Sequence, residues 1–179
     1  MNALRRKLVL PSVVLASLAS AVLLAQERDA GDKDSLRTAD GVVGELYKLV
    51  TFEAGASPDW DKVKSLFLDQ AVVVLRTGRD KQSVFSVDGF VDDFVRFSER
   101  ADVKEKGFTE RIVRTKSVIY GDIAHILVLY EASIPGSTRP PQHGVDSFQL
   151  VRRSGRWWIV SITNEIVTAD RPVPPELKR

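Results

Sequence analysis

The sequence contains no cysteine, and it has only two histidines and one methionine among 179 residues. The missing thiols exclude disulfide bonds, thiolate metal sites, a cysteine nucleophile and a lipidated cysteine anchor. His125 and His143 are too few for a multi-histidine metal site. The motifs of nucleotide-binding loops, dinucleotide-binding domains, serine hydrolases and zinc proteases are also missing. We therefore expect neither a metal nor a cofactor.

Neither sign of charge dominates, because 26 basic residues face 24 acidic residues and give a net charge of +2. With 44% hydrophobic residues, the chain has the composition of an ordinary globular protein. Its length suits one domain with a sizeable core.

The N-terminal segment has the layout of a targeting sequence. Arg5, Arg6 and Lys7 precede the uncharged stretch 8–25, which ends in small residues before charge returns after Gln26. This pattern predicts a signal peptide over residues 1–25, cut after Ala25 or, as second choice, after residue 21. An uncleaved anchor is the alternative, because such a stretch nearly spans a bilayer. We expect an exported protein, periplasmic or secreted, with no stable membrane insertion after cleavage.

Cleavage would also change the charge of the protein. The segment 1–25 carries three basic residues and no acidic ones, so the remainder has a net charge of −1. Nucleic-acid binding needs a basic surface, and we therefore expect no nucleic-acid partner.

The remaining chain divides into a charged tether (26–35), a folded domain (36–168) and a proline-rich tail (169–179) that contributes no core residues. Apolar residues at helical spacing predict three helices, over 39–54, 60–67 and 88–97. A buried strand is predicted at 71–75, a polar loop at 77–82 and a charged connector at 102–107. Four long strands follow, at 108–118, 123–134, 145–153 and 156–167. This order predicts an α+β fold with three N-terminal helices packed on a curved, mainly antiparallel sheet.

The turn at Ser154-Gly155 sets a register for the last hairpin. It pairs Arg153 with Arg156, Val151 with Trp158, Gln149 with Val160, Ser147 with Ile162, and Val145 with Asn164. Both faces of the hairpin carry apolar residues. We expect helices to cover one face and a partner subunit to cover the other, with Phe148, Leu150 and Ile159 on the outer face. The alternative is a single chain whose outer face is apolar only in patches.

Three sequence marks accompany this element order: Glu-Ala-Gly at 53–55, Leu-Phe-Leu-Asp-Gln-Ala at 66–71 and Gly-Arg-Trp-Trp-Ile at 155–159. With them the sequence resembles the SnoaL-like and ketosteroid-isomerase-like branch of the nuclear-transport-factor-2-like (NTF2-like) superfamily. The resemblance implies a cone-shaped fold with a pocket between sheet and helices, and frequent dimerisation through the outer sheet face. It implies no single activity.

By the same resemblance, the steroid isomerases carry a base aspartate at the end of the first strand and a neutral acid in the penultimate strand. These positions correspond to Leu75 and Ser147 here. The tyrosine of the first helix would correspond to Lys48, and Tyr47 lies one residue away, about 100° around the helix. Leucine cannot remove a proton, which argues against ketosteroid isomerase chemistry.

These arguments predict a neutral, largely apolar ligand pocket with no catalytic residue and no perturbed carboxylate. Its predicted lining is Tyr47, His143, Ser147, Gln149, Trp158, Ile162 and Asn164. The first functional hypothesis is an exported, non-enzymatic homodimer that binds a small hydrophobic ligand. The second is a lyase or isomerase for a small hydrophobic substrate, with His143 or His125 as base. The third is an assembly module whose pocket is filled by its own side chains.

Overall fold

The computed structural model describes residues 34–78 and 80–178. The predicted signal peptide, its cleavage sites and the tether up to residue 33 lie outside the described residues. The helices are α1 (Ala39–Val50), α2 (Trp60–Lys64), α3 (Val87–Ser98) and α4 (Ala101–Lys106). The strands are β1 (Phe67–Gly78), β2 (Lys81–Phe85), β3 (Thr109–Tyr120), β4 (Ile123–Ser133), β5 (Gln142–Arg153) and β6 (Arg156–Ile166), followed by a 3₁₀ turn at Pro175–Leu177.

The six strands form one sheet in the order β2-β1-β6-β5-β4-β3. The β1–β6 pair is parallel, and the other neighbouring pairs are antiparallel. Helices α1 and α3 pack on one face, which we call the inner face. The α+β class and the mainly antiparallel sheet predicted from the sequence are confirmed. Among the described residues, no helix is long and apolar enough to cross a membrane.

The core lies between the inner face and helix α1. Val42 and Val43 of α1 are fully buried, as are Phe148 of β5 and Ile159 of β6. Leu150 belongs to the same cluster. The prediction that Phe148, Leu150 and Ile159 lie on the outer face was therefore wrong, because alternation along these strands directs them towards the helices.

Several element boundaries differ from the sequence predictions because of local capping. Helix α1 stops at Val50, where Thr51 adopts an extended backbone. Helix α2 is capped by Asp59, whose side chain accepts from the backbone N–H of Lys62, and α3 is capped by Ser86, whose Oγ accepts from the backbone N–H of Gly89 at 3.2 Å. The predicted polar loop contains the start of strand β2, and the predicted charged connector is helix α4.

A β-bulge at Val160 interrupts the last hairpin. The predicted pairs Arg153–Arg156 and Val151–Trp158 are correct, but Leu150 pairs with Ile159 and Gln149 with Ser161. The extra residue shifts the rest of β6 by one position against β5. Farther along, the observed pairs are Ser147–Thr163, Asp146–Asn164 and Val145–Glu165 instead of the predicted ones.

The C-terminal tail also departs from the prediction. Leu177 is 1% exposed, and its 3₁₀ turn packs against strands β3 and β4. Leu129, on the outer face of β4, is buried although α1 and α3 cover the opposite face. The tail therefore does contribute a buried residue, because Leu177, which follows the prolines, packs on the sheet.

Candidate active site

A cavity of about 570 Å³ lies between the inner face of the sheet and helices α1 and α3. This volume falls within the range of small-molecule sites. Phe90, Phe94, Phe97 and Phe108 contribute much of its apolar lining. Its polar lining includes Tyr47 on α1, Asp93 on α3 and the strand residues Arg76, Glu110, Tyr130, Asp146 and Asn164.

Asp146 is the centre of a hydrogen-bond network in this cavity. The Tyr47 hydroxyl donates to Asp146 Oδ2 at 2.6 Å, and Asn164 Nδ2 donates to Asp146 Oδ1 at 2.7 Å. Asn164 Nδ2 also donates to the Tyr130 hydroxyl oxygen at 2.9 Å. The backbone N–H of Arg76 donates to Asn164 Oδ1 at 3.4 Å, which fixes the orientation of the amide.

These contacts favour an ionised Asp146. Its carboxyl group receives a donor on each oxygen, and such short bonds are typical of charge-assisted pairs. Burial raises the pKa of Asp146 to about 6, while the hydrogen bonds from Tyr47 and Asn164 oppose that rise. Burial also raises the pKa of Tyr47 far above its usual range, so this hydroxyl stays protonated and donates.

Two further carboxyl groups line the cavity. Asp93 of α3 pairs with Arg96 at 3.1 Å, whereas Glu110 stands in a different environment. Within the described residues, its side chain has no hydrogen bond or ion pair, whereas its backbone exchanges two bonds with the Thr51 hydroxyl. Burial, followed by the negative charge of Asp146, raises the pKa of Glu110 to about 8. At pH 7 Glu110 is therefore mostly protonated, while Asp146 is mostly ionised.

Two carboxyl groups that line one cavity, with pKa values on either side of neutrality, have the properties of a general acid and a general base. Asp146 can accept a proton, and Glu110 can donate one. The Tyr130 hydroxyl adds a third group, since its own proton has no acceptor among the described residues. The site can therefore remove a proton from a bound molecule and donate hydrogen bonds to an oxygen atom of it.

The structure brings together three of the residues predicted to line the pocket, Tyr47, Ile162 and Asn164. It places Ser147, Gln149, Trp158 and His143 outside the cavity lining. Odd-numbered β5 residues lie on the outer face, and Trp158 shares that face, where the Arg156 guanidinium stacks 3.8 Å from its ring. Only after the bulge at Val160 do Ile162 and Asn164 point inwards. One unpredicted bulge thus explains why the predicted set mixes both faces.

Neither histidine can act in this cavity. His125 Nδ1 lies 2.7 Å from Gln149 Nε2 on the outer face, and His143 Nε2 lies 3.2 Å from a carboxylate oxygen of Glu131. The hypothesis of a pocket histidine as base was therefore wrong. Across residues 34–78 and 80–178, no group of three or more candidate ligands is arranged to hold a metal ion.

The sequence analysis missed both carboxyl groups, and it wrongly predicted a cavity without a perturbed carboxylate. Asp146 directly precedes Ser147, the position that the resemblance assigned to the second acid, and it lies on the opposite, cavity-lining face of β5. Glu110 had a usable signal, because Phe108, Glu110 and Ile112 alternate along one strand and share one face. Leu75, which the resemblance placed at the position of the isomerases' base, lines the cavity.

The raised pKa of Glu110 predicts how stability depends on pH. The folded state binds this proton more tightly than the unfolded chain, so stability falls as pH rises from about 4.5 to about 8. Glu110→Gln keeps the shape and removes the titration. We expect equal free energies of unfolding at pH 4.5 and a variant more stable by about 2–4 kcal/mol at pH 8.5. Urea denaturation at both pH values measures this; equal stability at pH 8.5 would contradict the assignment.

Solved structures with the same fold confirm the architecture. An NTF2-like protein with a cystatin-like fold from Novosphingobium aromaticivorans is 14% identical, with a TM-score of 0.58, over 83% of this chain and 92% of that chain. A protein described as a "putative dehydratase from the NTF2-like family" from Streptomyces avermitilis is 14% identical, with a TM-score of 0.57, over 76% and 99%. A protein of unknown function from Nostoc punctiforme is 11% identical, with a TM-score of 0.56, over 74% and 95%. No protein-family model and no curated protein matches the sequence.

The chain therefore has the NTF2-like fold, as the sequence resemblance implied. At these identities the likeness concerns the fold alone, and function has to be argued from the site.

Proposed function

We propose that this protein is an acid–base catalyst of the lyase or isomerase class that acts on a small, mostly apolar molecule. The observation that carries the proposal is the presence of Asp146 and Glu110 in one cavity with pKa values of about 6 and about 8. Asp146 takes a proton from carbon, and the C–H electron pair forms a new double bond. Glu110 delivers a proton to the departing or carbonyl oxygen, and exchange with solvent restores both groups.

The similarity in fold to a protein described as a "putative dehydratase" is compatible with this chemistry. Dehydration needs a base at carbon and an acid at the leaving hydroxyl, which are the two roles assigned here. The second candidate function is non-enzymatic binding of the same class of ligand, the first hypothesis from the sequence. It is favoured by the two hydrogen bonds from Tyr47 and Asn164, which occupy both oxygens of Asp146.

A generic proton-transfer probe separates these two functions without knowledge of the natural substrate. The probe 5-nitrobenzisoxazole is neutral, planar and apolar. Removal of its ring C–H proton breaks the N–O bond, forms a nitrile and leaves a coloured phenolate, whose oxygen can accept a hydrogen bond from a protonated acid. A carboxylate base in an apolar cavity accelerates this step, whereas a binding protein without a base does not.

We expect a bell-shaped pH dependence for this reaction. The rate rises with an apparent pKa of about 6 as Asp146 ionises, and it falls above about 8 as Glu110 loses its proton. Absorbance assays between pH 4.5 and 9.5 test this, with Glu131→Gln on the outer face as the matched control. Saturable binding of the probe without acceleration would favour the non-enzymatic function.

We also propose that the protein is a homodimer that associates through the outer face of its sheet. Large apolar side chains are exposed there, including Val118, Tyr120 at 82% and Ile123 at 60%. A stable interface on this face would bury more than about 1,000 Å² in total. In a symmetric dimer, Ile123→Asp places one negative charge from each subunit in this interface. Light scattering at tens of micromolar should show dimers for the wild type and for Ala56→Asp, an exposed-loop control, and monomers for Ile123→Asp. A monomeric wild type would contradict the proposal.

Export remains a proposal that rests on residues 1–25 and their charge pattern. The intact mass of protein recovered from the periplasm or medium should correspond to a chain that begins at Gln26. A membrane-bound protein that retains residues 1–25 would indicate an anchor instead.

A further inference from the structure

Five residues of the cavity lining are exposed to solvent, and four of them carry hydrogen-bond donors in their side chains. The lining residues that are exposed are Thr77, Arg100, Arg139, Pro140 and Gln142. We call these five residues the cavity mouth. Arg100 precedes helix α4, and Arg139 lies in the loop between β4 and β5. Two arginines from different parts of the chain therefore belong to the exposed part of the cavity lining.

The positive charge at the mouth is not fully balanced. Arg100 pairs with the exposed Asp102 at 3.3 Å. Arg139 is held through its backbone N–H, which donates to the Ser137 hydroxyl at 3.1 Å. In the part of the chain that the structure describes, the Arg139 guanidinium has no ion-pair partner. Because Pro140 and Pro141 follow, the backbone beside this side chain is restricted.

Arg100 is positioned to receive an anion as well. Its guanidinium carbon lies 5.6 Å from the centre of the Phe97 ring, and Phe97 lines the cavity. A guanidinium has five N–H donors in a planar fork, and one N–H group is directed to Asp102. The remaining donors can bind a carboxylate or sulfonate, for which this fork is well suited.

The space behind the mouth is aromatic. The ring centres of Phe94, Phe97 and Phe108 lie 5.0–5.7 Å apart in edge-to-face arrangements. Together with Phe90 they provide a wall suited to a planar apolar group. Arginines at the entrance, an aromatic wall and an acid–base pair are thus combined in one cavity.

We infer that the ligand of this cavity is an amphipathic anion, with a planar apolar body against the phenylalanines and one carboxylate or similar group bound by Arg139 and Arg100. This inference rests on the proposed function for the reacting groups, and it names the class of substrate. It also revises the uncharged ligand expected from the sequence, because the mouth carries a guanidinium that lacks a partner among the described residues.

Two fluorescent probes with nearly the same body test the inference by binding alone. One is 1-anilinonaphthalene-8-sulfonate, which carries one anionic group, and the other is N-phenyl-1-naphthylamine, which carries none. We expect the anionic probe to bind the wild type about tenfold more tightly, since a charge-assisted contact stabilises it. Arg139→Gln should weaken the anionic probe by about tenfold and leave the neutral probe within about twofold.

Two control variants locate the binding. Arg114→Gln removes an exposed arginine from the outer face of β3, and Tyr120→Asp changes the exposed apolar surface there. Neither should alter either probe. Unchanged affinity of the anionic probe in Arg139→Gln, or a loss only in a control variant, would overturn the inference. If the neutral probe still binds in that case, the proposed function survives. If Tyr120→Asp abolishes the binding of both probes, they bind the outer face and not the cavity. The cavity then takes no such ligand, and the proposed function fails too.

Discussion

Asp146→Asn is expected to slow proton removal from 5-nitrobenzisoxazole by about 10²–10⁴-fold, the usual contribution of a positioned general base. An amide has nearly the shape of the carboxylate, but it cannot accept the proton. The low-pH limb of the rate profile should disappear together with the rate, because that limb reports the ionisation of Asp146. Stopped-flow or steady-state absorbance at pH 7 measures the loss.

The matched control for this variant is Asp122→Asn. Asp122 is an exposed aspartate of the β3–β4 turn that accepts a hydrogen bond from Arg152 Nε at 2.7 Å. Its replacement should leave the rate unchanged within experimental error. A wild-type rate in Asp146→Asn, with the fold intact by circular dichroism, would remove Asp146 from the mechanism.

Gly144→Ala is expected to disturb both the fold and the site. Gly144 pairs with Tyr130 across β4 and β5, and an added Cβ would lie 2.2 Å from the Tyr130 hydroxyl oxygen and 2.3 Å from its ring. The ring must move, which breaks the hydrogen bond between Asn164 and Tyr130. We expect a loss of about 1–3 kcal/mol in the free energy of unfolding, typical of overpacking.

A second glycine provides the control for Gly144→Ala. An added Cβ at Gly44 in helix α1 meets no atom within 4 Å, so Gly44→Ala should stabilise the protein by about 0.5–1 kcal/mol. Chemical denaturation of both variants gives the comparison. Equal stability of the two alanine variants would mean that the Tyr130 ring is not held against Gly144.

Much of the fold follows from local sequence signals. The four long strands and the turn at Ser154-Gly155 were predicted because alternation and turn residues act over a few neighbours. Strand β2 and helix α4 were missed, since their short, charged segments resemble loops. Contacts with neighbouring elements hold both of them in place, and local sequence patterns do not reveal such contacts.

The candidate site could be predicted only in part. Tyr47 and Asn164 were identified because each lies on a predictable face of its element. Asp146 was not, because the bulge at Val160 changes which β6 residues accompany it, and nothing in the local sequence marks that bulge. The raised pKa of Glu110 also depends on burial by the assembled fold. Local sequence patterns therefore predict most helices and strands, whereas the chemistry of the cavity depends on how these elements pack.

The most direct test of the account is the ionisation of Asp146 and Glu110 in the cavity. Side-chain carboxyl ¹³C chemical shifts of the labelled protein, assigned with Asp146→Asn and Glu110→Gln, can be followed from pH 3 to pH 10. The account predicts apparent pKa values of about 6 for Asp146 and about 8 for Glu110, so that one group is ionised and the other protonated at neutral pH. Titration of both groups near pH 4, as for exposed carboxylates, would contradict the acid–base pair and the function proposed from it.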